Sequence, residues 1–139
     1  MLKQYKAIAK VKRQLLEQKE AALMKARAEV KKCQNSLELI SKEINSLSVP
    51  TKGAYQEFLH VKALHEQLMR QKNYLKDELL RVQKKEQMCL HHFNEAKREF
   101  EKIKYLQESA YTKVLNQRKR EEQNALDEVA FQLHVLQER

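Results

Sequence analysis

Residues 2–47, read in sevens, carry an apolar side chain at every position of one row: Leu2, Ala9, Leu16, Leu23, Val30, Leu37 and Ile44. The row three residues on is Tyr5, Lys12, Lys19, Ala26, Cys33, Ile40 and Leu47, apolar from Ala26 onward. Such a repeat keeps one helix face turned to a partner helix over many turns, which is the seam of a coiled coil. The seam is weakest near the amino terminus, where Ile8, Val11 and Leu15 widen the apolar face. Residues 54–115 repeat the period. Ala54, Val61, Leu68, Leu75, Val82, Cys89, Ala96, Ile103 and Ala110 form one row, and Phe58, Leu79, Phe93, Phe100 and Val114 supply the second. His65, Lys72, Glu86 and Gln107 dilute that second row. The pattern lapses through Asn116–Gln123 and resumes out of phase at Leu126, Val129, Leu133 and Leu136, as an insertion in a heptad register would make it.

Between the two periodic stretches stand the single proline and the single glycine of the chain, Pro50 and Gly53. Proline ends a helix and biases its predecessor away from helical dihedrals. Glycine accepts the conformations of a tight reversal. With Ser46 and Ser48 ahead of them, about six residues suffice to close a helical hairpin. A kink in one continuous parallel dimer is the alternative, but two breakers so close together stop a helix better than they bend one. The expectation is an all-α, antiparallel two-helix coiled-coil hairpin forming one domain over residues 1–139. Its first helix covers about 3–47, its turn 48–53 and its second helix about 54–137. At 1.5 Å per residue the arms measure about 65–70 Å and about 125 Å. Pairing Leu47 with Ala54 sets Leu2 near Glu99, so the second helix overhangs after about Phe100. There Phe100, Ile103, Leu106, Ala110 and Val114 still form an apolar stripe. A lone helix showing such a stripe to water is marginal, so the overhang either frays or binds something.

Composition agrees. Ala, Glu, Lys, Leu and Arg fill 76 of 139 positions and tryptophan is absent, the profile of a long-helix protein. Low hydropathy and a net charge of +9 also suit a disordered chain, but disorder needs no sustained apolar period. No apolar run approaches the roughly 20 residues of a membrane span. The amino terminus is basic but lacks the apolar stretch and cleavage site of a signal peptide. Two cysteines, Cys33 and Cys89, suit free thiols in a reducing compartment. The chain therefore reads as cytosolic.

Charge is uneven. Residues 1–32 net +7 and residues 61–104 net +4, while 33–60 and 105–139 each net −1. In the hairpin the two basic stretches lie side by side, giving a positive terminal half and a nearly neutral turn. Such an end favours an acidic partner; it also suits a rod that merely stays soluble. Nucleic acid is a further class of acidic partner, but Tyr5 is the one aromatic in the basic amino-terminal segment, too little for a stacking platform. Just past the turn, Tyr55, Phe58 and Leu59 fit either binding anchors or a clasp that fixes the turn.

No catalytic, cofactor or metal site is legible. One glycine rules out a Gly-rich phosphate loop. Cys33 and Cys89 fall on the seam, where small apolar thiols are common, and too far apart for an intrachain disulfide. In the stretch MCLHHF, Cys89 and His92 share a helix face, but two ligands do not make a structural zinc site, which needs four. His60 and His65 read as surface or flanking positions.

In several features the chain resembles the FliJ/YscO family of type III secretion proteins, the flagellar branch in particular. The length and near-total helicity are similar. Tyr55-Gln56-Glu57-Phe58-Leu59 is similar to the Y-Q-x-F-[IL] that opens the family's second helix, and that helix is the longer one. The stretch from Arg118 to Ala130 is similar to the basic–acidic segment ending in L-D-E-x-A. The resemblance implies a non-enzymatic cytoplasmic protein like the central stalk of a rotary ATPase, without cofactor or small-molecule substrate. It implies three partners: the export ATPase hexamer at the end bearing the termini, the cytoplasmic part of the membrane export gate, and export chaperones that the protein helps to recycle. Contact with the cytoplasmic face of the inner membrane would run through these partners alone. Joined to the charge pattern, it places ATPase contacts at Lys3, Lys6, Lys10, Lys12 and Arg13, with Phe100, Ile103 and Leu106 as apolar contacts, and gate contacts at Tyr55 and Phe58. Outside that resemblance, a generic coiled-coil adaptor whose overhang pairs with another helix is the competing reading.

Overall fold

The computed structural model describes residues 1–48 and 53–138. Two helices account for nearly all of them: α1, Leu2–Ser46, of 45 residues, and α2, Tyr55–Glu138, of 84 residues. No strand occurs among the described residues. The two-helix hairpin expected from the heptads is therefore the fold, with boundaries within about two residues of those the sequence suggests. Pro50 lies outside the described residues; Gly53 and Ala54 lead into α2.

The helix ends beside the connection are tied by local bonds. At the end of α1, the Leu47 amide donates to the Ile44 carbonyl at 3.2 Å, and Ser46 Oγ donates to the Glu43 carbonyl at 2.8 Å. Both bonds occupy carbonyls that a helix terminus otherwise leaves open. At the start of α2, the Ala54 carbonyl accepts from the amides of Glu57 (3.0 Å) and Phe58 (3.4 Å). Glu57 adds an acid to the first turn, where the helix dipole favours it.

The chain divides into two compact units, each pairing a piece of α1 with a piece of α2: residues 17–95, and residues 1–16 with 96–139. In the first, Leu23, Ala26, Val30, Cys33 and Ile40 of α1 and Leu68 and Val82 of α2 are buried. Val30, Cys33 and Val82 make one cluster, with Leu75 and Leu79 packed against it. The Cys33 thiol donates a weak bond to the Leu75 carbonyl at 3.5 Å. Ion pairs flank the seam: Lys85 Nζ to Glu29 at 3.3 Å and Arg27 Nε to Glu86 at 3.9 Å. Pairing partners fall in number along α2 as they rise along α1, so the helices run antiparallel.

In the second unit Ala96 is buried, and Leu2, Tyr5, Ala9 and Leu16 of α1 are half-buried, as are Phe100, Ile103, Ala110 and Val114 of α2. The sequence-based register needs correction here. Lys12, not Leu2, lies beside Glu99 (3.9 Å), and Leu2 shares a groove with Gln107, Glu108, Tyr111 and Thr112. The overhang of α2 therefore begins about ten residues later than the sequence suggested, and Phe100 faces α1 instead of overhanging it. Within the 17–95 unit the register at the connection also differs from the sequence-based one. Leu47 packs with Phe58 and Val61, one turn or more into α2, because exposed Ala54 offers a leucine almost no apolar surface. Beyond the reach of α1, α2 stays helical to Glu138 although Leu126, Val129, Phe131, Leu133 and Leu136 are all more than half exposed.

Leu23 is 3% exposed. Leu23→Ala is expected to destabilise the 17–95 unit by about 2–4 kcal/mol, the usual range for a leucine truncated inside a packed seam. Urea unfolding followed by circular dichroism measures it, and a loss under about 1 kcal/mol would mean that this seam is not a packed core.

Candidate functional site

The amino-terminal piece of α1 carries five cations and no acid in its first 16 residues. Helical spacing sets Lys3, Lys6, Lys10 and Arg13 on one flank of the seam, within an arc of about 80°, at 100° per residue. Across from them α2 supplies Phe100, Lys104 and Gln107. Together with Ala7 and Ala9 these residues line an open groove of about 540 Å³. The two alanines leave the recess, because a methyl group fills so little of the space beside Phe100. The lysine stems extend the apolar wall and hold their ammonium groups at the rim. No carboxylate lines the groove. A second groove of about 480 Å³, sharing Lys3, Lys6 and Gln107, continues past Glu108 and Tyr111 to Leu2.

Of the eight residues placed at this end from the sequence, Lys3, Lys6, Lys10, Arg13 and Phe100 come together in the groove. Lys12 does not: it is half-buried on the seam and paired with Glu99. Ile103 is half-buried and Leu106 exposed, and neither lines the groove. The sequence reading missed Lys104. Its signal was present, since Lys104 follows Phe100 by four and so shares its face, but the misjudged register put both in the overhang.

At the other candidate surface, Tyr55 is 73% exposed and Phe58 43% exposed. Phe58 closes a small pocket of about 320 Å³ with Leu47, Val61, Lys62 and His65. Phe58 thus stands beside Leu47 of the chain ahead of α2 while keeping an outer edge in water, and Tyr55 does not line that pocket. Of these aromatics, Phe58 lines a pocket with Leu47, as a clasp would, and Tyr55 stands exposed. Leu47 and Val61 were readable beforehand as seam positions.

Elsewhere the polar chemistry is that of a solvated coiled-coil surface. Arg81 donates to Glu78 through Nε at 3.1 Å and through Nη2. That bidentate bond holds the Glu78 carboxyl below its usual range and raises the Arg81 guanidinium. His91 Nε2 and His92 Nδ1 both approach Glu95, at 2.9 and 3.9 Å. Among the described residues no three metal-binding side chains converge, and both cysteines are free. No described helix is long and apolar enough to cross a membrane.

Lys12 tests how much the ion pair at this end matters. Its pair with Glu99 is partly exposed and worth no more than about 1 kcal/mol, whereas a leucine at a half-buried seam position adds apolar burial. Lys12→Leu is expected to stabilise the chain by about 1 kcal/mol in urea unfolding; destabilisation of that size would show that the charge is structural.

Comparison with known protein families gives a match over nearly the whole chain. The family model described as "Flagellar FliJ protein" covers residues 2–139. No curated protein and no solved structure matches. The match spans both helices, including Tyr55–Leu59 and Arg118–Ala130. The chain belongs to the flagellar FliJ protein family, and so is a component of the flagellar export apparatus.

Proposed function

We propose that the protein is a non-enzymatic, cytoplasmic stalk that links the export ATPase hexamer to the cytoplasmic domain of the membrane export gate and assists in recycling export chaperones. The observation that carries this reading is the amino-terminal unit. There a pair of helices ends in a groove ringed by cations without acids, and one helix continues alone with its apolar side chains in water. A protein that engages the inside of a protein ring needs such an end: a slender tip, a long-range attraction for the ring, and apolar surface to bury on arrival. The ATPase contacts of this reading are Lys3, Lys6, Lys10, Arg13 and Phe100, which meet in the groove, while Lys12, Ile103 and Leu106 do not line it. The gate contacts are Tyr55 and Phe58, at the neutral end of the charge distribution. Attachment to the cytoplasmic face of the inner membrane runs through these partners alone.

Titration of the intact chain against the export ATPase hexamer tests the first link. Saturable binding of one chain per hexamer is expected, weaker by about tenfold or more on raising salt from low to physiological, because screening shortens the reach of exposed charges. No binding at tens of micromolar at either salt overturns the stalk reading. For the second link, Tyr55→Ala with Phe58→Ala is expected to weaken gate binding by about 30-fold or more, the scale of losing an aromatic anchor, and to reduce swimming in soft agar. Unchanged gate binding by the double variant would remove these residues from the gate surface.

A further inference from the structure

The two flanks of the seam at the amino-terminal end are chemically unlike. Lys3, Lys6, Lys10 and Arg13 occupy one flank of α1, and Lys104 joins them from α2. Ile8, Val11 and Leu15 lie about 150° round the same helix, at 100° per residue. Ile8 is 42% exposed and Val11 61% exposed, and neither lines the groove. The exposed cations in the first 16 residues of α1 are therefore gathered on the groove's flank of that helix.

We propose that this end docks on the export ATPase through one flank only, with the groove between α1 and Lys104 receiving an acidic segment of the ring that carries an apolar side chain between its carboxylates. The inference rests on the ATPase reading and adds to it the face, the partner's chemistry and Lys104 as a residue that sets specificity. Charge complementarity selects the occupant. A lining with five cations and no carboxylate over an apolar floor disfavours a basic segment and attracts an acidic one. The floor, made by Ala7, Ala9 and Phe100, is shaped for a side chain and not for a bare ion. One-sided docking has a consequence for a stalk: the ring is held at one face of the tip, so the contact distinguishes among otherwise similar subunits.

The test compares variants with equal change in net charge, read by Kd against the ATPase hexamer. Lys6→Glu with Lys104→Glu reverses two groove cations. Arg98→Glu with Lys102→Glu reverses two exposed cations of the same unit outside the groove lining. The groove pair is expected to weaken binding by about 100-fold and the outer pair by less than about threefold, since charges in a docked interface act on dissociation while distant ones act on encounter. A charge-neutral pair removes dependence on net charge altogether. Ala7→Trp fills the groove and Val11→Trp enlarges the other flank; at moderate salt the first is expected to weaken binding by at least about tenfold and the second to leave it within about twofold. Thermal melts of all four variants establish that each is folded. Equal losses from the groove and outer pairs, or from the two tryptophan variants, overturn the one-sided groove while the ATPase reading survives. Failure of the unaltered chain to bind the hexamer overturns both.

Discussion

Burial of a narrow apolar seam is what every other feature here depends on. Two long helices rich in charge have little else to hold them: in the 17–95 unit the fully buried side chains are few, and small ones such as Ala26 and Cys33 stand among them. Small side chains let two helices approach closely, and close approach is what makes Leu23, Val30, Ile40, Leu68 and Val82 worth burying. The ion pairs at the flanks are partly exposed and individually weak. They suit a role in choosing register and orientation more than in supplying stability.

A seam that uses one stripe of each helix leaves the rest of the surface free for recognition, and the chain uses that freedom unevenly. Acids paired with bases appear along the 17–95 unit, as in Glu29 with Lys85, Arg27 with Glu86 and Glu78 with Arg81. In the first 16 residues there are bases alone. Surplus positive charge over that stretch raises the local field, and it costs the fold little because Lys3, Lys6 and Lys10 stand in water. The same economy explains the exposed apolar side chains of α2 beyond α1. They are held out by a helix that continues from a paired stretch, so its nucleation cost is already met.

Membership of the flagellar FliJ family gives these features a setting in which they make sense together. The candidate site is an open groove and not an enclosed cavity. It is a distribution of charge and apolar surface over two helix faces, positioned by which residues of α1 stand opposite which residues of α2.

Much of that was legible in the sequence. The rows Leu2–Ile44 and Tyr5–Leu47 are buried or half-buried along their whole length, and so is the row Val61–Ala110, because a heptad repeat dictates which face of a helix leaves water whatever its partner does. The place of the turn followed from Pro50 and Gly53 for the same local reason. Register was a different matter. Seven-residue repeats fit a partner equally well at every slip of one heptad, and Lys12, Lys19, His65 and Lys72 weaken the positions that would break the tie. Only the tertiary structure decided that Leu47 sits with Phe58 and Val61 and not with Ala54. That shift of about ten residues moved Phe100 and Lys104 from an unpaired stripe into a groove opposite Lys3, Lys6 and Lys10. The sequence by itself determined the helices, their apolar faces and the sign of each end; which side chains meet across the seam depended on packing between residues far apart in the chain, which no local period encodes.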